Sequence, residues 1–225
     1  MKLSIIIPVY NEQNTLLEIL KRVQALDLNK EIIIVDDYST DRTREILSKY
    51  KEANTKIILQ SKNQGKGAAI REGIKMAGGD YVIIQDADLE YNPQEILKLI
   101  KLVIDGQAQV VYGSRFKGKH VFRSLSHYLG NKLLTLITNL LYRTTLTDME
   151  TCYKLIPTDL IKQIPLRANR FDFEPEITAK ILKRGYKITE VPISYDSRTF
   201  AQGKKISWKD GFAAIYALIK YKFKD

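Results

Sequence analysis

Apolar, β-rich runs alternate with segments of helical period through the first half of the chain. Residues 3–7, 31–35, 56–59, 81–84 and 110–112 read as strands, and residues 12–26, 41–50, 67–77 and 93–104 as the helices between them. This alternation predicts an α/β fold, with a mostly parallel central sheet covered by helices on both faces. Ligands of such sheets bind beyond the carboxyl ends of the strands. Asp36, Asp37, Asp86 and Asp88 all fall at such ends.

The second half is less regular. Residues 126–142 place Leu129, Leu133, Leu136, Ile137, Leu140 and Leu141 at helical spacing. A short strand over 153–156, a helix over 175–184 and a strand over 187–193 follow, and residues 207–221 read as an amphipathic helix with basic flanks. No repeat, low-complexity stretch or linker divides the chain, so its 225 residues predict a single domain.

Composition narrows the class. Apolar residues at 44% and charged residues at 28% are ordinary for a soluble globular protein. The lone Cys152 excludes an internal disulfide framework and fits a reducing compartment. The opening "MKLSIIIPVYNE" is too short an apolar run for a signal peptide and stops at Pro8, which points to a cytoplasmic first strand. No apolar run approaches the roughly 20 residues that cross a bilayer.

The net charge of +10 is concentrated in two places. Residues 115–147 hold six basic and no acidic residues, and residues 198–225 hold seven basic and two acidic ones. Such patches favour an anionic partner: phosphate, a lipid surface or nucleic acid. Against that background "DYVIIQDADLEYNP", residues 80–93, stands out, because a buried strand there ends in Asp86, Asp88 and Glu90. Residues two apart in an extended segment point the same way, so Asp86 and Asp88 can converge, with Glu90 in reach if the chain stays extended. Unpaired carboxylates would repel, and a hard divalent cation, Mg2+ or Mn2+, relieves this. The alternative is a solvated turn, with Asp88 or Asn92 capping the helix that begins at Pro93.

"SIIIPVYNE" (4–12), "IIIVDDYSTDRT" (32–43), "NQGKGAAIREGI" (63–74) and "DYVIIQDADLEYNP" (80–93) together resemble family 2 of the inverting glycosyltransferases, which have the GT-A fold. "VVYGSRF" (110–116), "TDMETCYKLIP" (147–157), "FDFEPEI" (171–177) and "EVPISYDSR" (190–198) extend the likeness over nearly the whole chain. Within the family it looks most like the dolichyl- or polyprenyl-phosphate sugar synthases. That resemblance implies one catalytic domain over 1–225: a nucleotide-sugar half (1–112), an acceptor half (113–206) and a C-terminal amphipathic helix (207–225). It implies that Pro8, Tyr10, Glu12, Asp37 and Asp86 bind the donor and that Asp86, Asp88 and Glu90 hold Mg2+ or Mn2+. Relatives often have glutamine at the Glu90 position. Asp88, Arg115 and Arg198 would be catalytic, the two arginines by meeting the acceptor phosphate.

The basic segments fit that frame. Gly203 with Lys204 and Lys205 suits a mobile, phosphate-gripping lid, and an ordinary loop is the alternative. The helix over 126–142 is either core or a membrane-surface helix, its flanks being wholly basic. "NQGKGAAIREG" lacks the spacing of a phosphate loop or a dinucleotide fingerprint and reads as a helix start near the donor. His120 and His127 lack metal-ligand companions and read as surface residues, and Cys152 as a small core residue.

The expected activity is therefore metal-dependent transfer of a hexose from a nucleotide sugar, of GDP-mannose or UDP-glucose type, to a polyprenyl phosphate. It would proceed at the cytoplasmic membrane face, alone or beside a membrane-spanning partner chain. A hydroxyl acceptor is the alternative, and would need a base from Asp148, Glu150, Asp172 or Glu174. A nucleic-acid partner would explain the basic patches but leaves the acidic strand ends without a role, so none is expected.

Overall fold

The computed structural model describes residues 1–121, 124–198 and 208–224. Lys204 and Lys205, with most of the expected lid, lie outside them. The chain begins β1 (Leu3–Val9), α1 (Leu16–Gln24), β2 (Lys30–Asp36), α2 (Thr43–Lys49), β3 (Thr55–Leu59), α3 (Lys66–Met76) and β4 (Tyr81–Ile84). A 3-10 turn at Pro93–Glu95 leads into α4 (Ile96–Ile104) and β5 (Val110–Ser114). The second half adds β6 (His120–Val121), α5 (Leu125–Tyr142), β7 (Lys154–Pro157), α6 (Thr158–Gln163) and α7 (Phe173–Lys183). It closes with β8 (Ile188–Pro192), β9 (Tyr195–Asp196) and α8 (Trp208–Phe223).

Seven strands form one sheet in the order β3-β2-β1-β4-β7-β5-β8. Only β7 runs antiparallel, against both β4 and β5, so the expected mostly parallel sheet is what forms. Its central strands are buried Ile and Val, and helix α3 packs on β1 and β2 while α4 packs on β5. The chain steps outward from β1 to β3, then returns to the other side of β1 for β4. Such a reversal opens a crevice at the carboxyl ends of β1 and β4.

Pro8 sharpens that crevice. Along β1, Ile6 O accepts from Gln85 N on the β4 side, while Val9 O accepts from Asp37 N on the β2 side. By this alternation Pro8 faces β4, whose pairing with β1 ends at Ile6 and Ile84. The missing N–H therefore falls where no ladder bond is made.

The opposite end of the sheet is tied by a buried carboxylate. Glu31 accepts from Ser4 Oγ at 2.7 Å and Gly78 N at 2.5 Å, and pairs with Lys56 at 3.0 Å and Lys2 at 3.3 Å. Burial alone would raise its pKa, but these four partners outweigh it and bring it down to about 2. A depressed carboxylate stabilises the fold above its unfolded pKa, and that contribution is lost as pH falls through the folded value. Stability is accordingly expected to decline between about pH 4.5 and pH 2. Glu31→Gln should lower unfolding free energy by roughly 2–4 kcal/mol at pH 7 and flatten that acid limb, as read by urea titration.

Three local differences from the sequence reading have physical causes. Helix α1 starts at Leu16 rather than residue 12, after a turn at 13–15 in whose approach Thr43 Oγ1 and Asp41 Oδ2 hold Glu12 N and Gln13 N. Helix α6 has six residues, too few to show a period. The β6–β9 pair has two residues per strand and leaves no alternation to read.

Candidate active site

The loops after β1 and β2 are laced together. Asn11, with φ of 55°, accepts from Thr40 N through its Oδ1 at 2.8 Å and donates its own N–H to Ser39 Oγ at 2.9 Å. Asp37 then fixes the approach to α3, accepting from Gln64 N and Gly65 N at 2.7 Å each. Burial, with Asp36 beside it, holds the Asp37 pKa above the usual carboxylate range despite those bonds. Gly65 has φ of 98°, and a Cβ there would lie 2.3 Å from Asn169 O. Only glycine lets this loop meet the backbone before α7.

The expectation of three carboxylates converging through an extended segment is corrected here. The chain leaves β4 at Ile84, turns at Ala87–Asp88 and reverses at Leu89, whose φ is 64°. Asp88 Oδ1 accepts from Glu90 N at 3.1 Å, which closes the turn. Glu90 instead accepts from Tyr195 Oη at 2.5 Å and from Arg198 N at 2.7 Å. The capping alternative holds too, since Asn92 Oδ1 accepts from Gln94 N.

Two cations serve the remaining acids. Lys66 Nζ lies 2.9 Å from Asp86 and 3.0 Å from Glu174. Burial opposes its charge, but Asp86 and Glu174 outweigh that and keep the ammonium protonated. Arg198 reaches 186 residues back along the chain to Glu12, with Nη1 at 3.1 Å and Nη2 at 3.0 Å, and also meets Asp88 at 3.2 Å. The Asp88 pKa rises to about 7, from burial first and then the charges of Asp86 and Glu90, which Arg198 offsets only in part.

Arg115 is differently placed. It is 6% exposed and grips Asp148 through Nε and Nη2 at 2.7 Å each, with Nη2 also donating to Asn131. Its guanidinium lies 5.1 Å from the Tyr195 ring centre. Beside it Glu150 Oε1 and Glu174 Oε2 are buried without a hydrogen-bond partner. Burial, then the charge of Glu174, pushes the Glu150 pKa up to about 8.

A cleft of about 940 Å³ joins these groups. Pro8, Tyr10, Glu12, Asp37, Asp86, Asp88, Glu90, Arg115 and Arg198 all line it, with Glu150 and Glu174, whereas Asp148 and Asp172, the other two candidate bases, do not. His127, half-buried, lines it as well. Cys152 is buried there with its thiol pKa raised by burial, an inert wall rather than a nucleophile. Lys66 as a bridge between two acids, and the clamp of Arg198 on Glu12, were not readable from spacing.

The metal expectation can be tested against these groups. Among the described residues no set of three or more His, Cys, Asp or Glu side chains lies at metal-holding spacing. Mg2+, however, is usually held by one or two carboxylates plus substrate phosphates. Asp86 and Asp88 meet that lesser requirement, with oxygen donors and net negative charge that Arg198 leaves partly unbalanced. Glu90 does not, being turned to Tyr195 and the Arg198 backbone.

The model of glycosyl transferase family 2 matches residues 4–164. The chain belongs to that family. The family 2 chain is 32% identical to the dolichol-phosphate mannosyltransferase of Pyrococcus furiosus, over 99% of its own length and 65% of that protein. It is 28% identical to the low-salt glycan biosynthesis hexosyltransferase Agl6 of Haloferax volcanii, over 95% of its length and 52% of that protein. The chain thus spans between half and two thirds of these curated relatives. In structure it resembles glucosyl-3-phosphoglycerate synthase from Mycobacterium tuberculosis, solved with Mn2+, UDP and phosphoglyceric acid, at a TM-score of 0.75 and 18% identity. That likeness covers all of this chain and 79% of the other. The GT-A fold is therefore shown.

Proposed function

We propose that this family 2 chain transfers a hexose from a nucleoside-diphosphate sugar to a lipid phosphate, with inversion at the anomeric carbon, at the cytoplasmic face of a membrane. The make-up of the cleft carries the reading. Its floor holds strand-end carboxylates with the Arg198 guanidinium, and its far wall comes from α5 and α8, both of which turn apolar residues outward. The similarity to a dolichol-phosphate mannosyltransferase supports the same acceptor class.

In this reading Asp37 orders the Gln64–Gly65 loop to receive the nucleoside, with Pro8, Tyr10 and Glu12 beside it. Asp86 and Asp88 would hold Mg2+ or Mn2+, which supplies Lewis-acid stabilisation of the departing diphosphate. An acceptor phosphate oxygen forms a bond to the anomeric carbon while the bond from that carbon to the diphosphate breaks. The nucleoside diphosphate leaves with the electron pair. An alkyl phosphate, with a second pKa near 6, is already largely ionised at neutral pH, so the step requires no general base. It requires a fixed cation, and Arg198 can exchange its carboxylate partners for phosphate oxygens. Arg115 sits behind it with Asp148 holding its Nε and Nη2, and acts on the acceptor through the cleft wall it supports.

A second reading is favoured by the orphaned oxygens of Glu150 and Glu174, which would accept from the hydroxyl of an alcohol acceptor. Glu150, pushed up to about 8, carries a proton at neutral pH and would not serve as the base in that reading. The two readings separate by offering nucleotide sugars with Mn2+ and either a short polyprenyl phosphate or a prenyl alcohol. Labelled product from the phosphate, with the anomeric configuration inverted by NMR, supports the first. Product from the alcohol alone establishes the second.

A further inference from the structure

Helix α5 is amphipathic the wrong way round for a soluble protein. Its fully buried residues are Thr135 and Thr138, while Leu125, Leu129, Leu133, Leu136 and Leu140 are each more than half exposed. Thr138 even spends its hydroxyl on Leu134 O within the helix. Helix α8 packs alongside α5, with Tyr142 Oη donating to Leu218 O at 2.7 Å. It buries Ala214, Ala217, Leu218 and Tyr221, and leaves Phe212, Tyr216, Ile219 and Phe223 exposed. On both helices the exposed apolar positions fall at i, i+4, i+7 and i+11, one stripe along each. Two neighbouring apolar stripes make a patch larger than scattered surface leucines would give.

We infer that the paired outer faces of α5 and α8 form a docking surface for an anionic lipid bilayer. Charge selects this occupant over a second copy of the chain. Helix α5 carries Lys132 and ends at Arg143 with no acidic residue between its ends, and the last turns of α8 carry Lys220 and Lys222, so a symmetric contact would set like charges against each other. On these helices Lys132, Arg143, Lys220 and Lys222 complement anionic headgroups. Exposed Tyr216, Phe212 and Phe223 supply the aromatic groups that settle at the headgroup level.

The docking surface also explains the position of the cleft. Ser126, Gly130 and Leu134 line the cleft, and each follows an exposed leucine in sequence, about 100° around the helix. On α8, Gly211, one residue before exposed Phe212, lines the cleft too, and so does Ala214. Docking would therefore lay the rim of the cleft against the headgroups. No described helix is long and apolar enough to cross the membrane, so the contact is peripheral. The inference rests on the reading above for its purpose, and its test needs no turnover.

The test is co-sedimentation of the full chain with vesicles of phosphatidylglycerol and phosphatidylcholine, against phosphatidylcholine alone. Binding should require the anionic lipid and weaken with salt. Leu133→Glu with Leu136→Glu should reduce partitioning about tenfold or more, and Leu129→Gln with Leu140→Gln should reduce it less. Both pairs should keep the wild-type melting temperature and its shift with nucleotide sugar, which checks folding. Wild-type partitioning in both pairs would overturn the proposal. So would a chain that ignores vesicles but forms a dimer in sedimentation equilibrium that these substitutions dissociate. A chain that binds vesicles yet glycosylates only hydroxyls refutes the phosphate acceptor and keeps the docking surface. Turnover of short prenyl phosphate with no vesicle binding does the reverse.

Discussion

Replacing Asp86 or Asp88 with asparagine is expected to lower kcat/KM by a factor of about 10³ or more while leaving the protein folded. Each change keeps the side-chain volume and removes one of the two charges that face the expected diphosphate. The two variants should differ in stability. Asp88 sits among Asp86 and Glu90 with its pKa pushed up to about 7, so its ionised form is disfavoured in the fold. A raised carboxylate pKa destabilises the fold as pH rises above the unfolded value, fully so above the folded one. Asp88→Asn should therefore melt at or above the wild-type temperature at pH 8. Asp86 pairs with Lys66, and Asp86→Asn should cost about 1–3 kcal/mol by leaving that buried ammonium with Glu174 alone. Thermal melts beside Mn2+-dependent turnover measure both. Wild-type turnover in the two variants at saturating Mn2+ would remove the metal from the scheme.

The two arginines should fail in opposite ways. Arg115→Ala leaves Asp148 buried and loses a bidentate pair, so roughly 3–5 kcal/mol of stability is expected to go with it. Arg198 is more open, and once it is gone Asp88, its pKa already at about 7, can take up a proton and relieve its repulsion with Glu12 and Glu90. Arg198→Ala should cost little stability yet reduce acceptor kcat/KM by about 10²-fold or more. Urea denaturation and initial rates with varied polyprenyl phosphate separate the effects. Arg198→Lys should restore only part of the rate, because a point charge cannot span Glu12 and Asp88 as a planar fork does. Full stability in Arg115→Ala would mean that Asp148 finds another partner.

What the sequence made legible was the part governed by local period and by strand ends. Strands β1, β2 and β4 are runs rich in Ile and Val, and the acids just beyond such a run face the crevice, whereas Asp36, still within β2, is buried against Arg44. That argument found Asp37, Asp86 and Asp88 without knowledge of contacts. It missed the turn before Glu90, because one left-handed residue, Leu89, reverses the chain, and a leucine gives no warning of positive φ. It also could not separate Arg115 from Arg198. Both follow strands in basic segments, and only the fold brings Asp148 to one and Glu12 to the other. For α5 the leucine spacing gave the helix but not which face is buried, since Thr135 and Thr138 inside and leucines outside invert the usual rule.

One strand of the sheet has a consequence for synthesis on the ribosome. β7 is supplied by the second half of the chain yet lies between β4 and β5, pairing with both. Until β7 emerges, the edge of β4 with its buried Val82, Ile83 and Ile84 has no partner. Roughly 70 residues separate the end of β4 from β7, which at about 5–20 residues per second leaves that edge open for several seconds. A nascent chain stalled anywhere in this interval displays a ready template for strand addition, so its safe production depends on uninterrupted translation or on a chaperone that shields the gap.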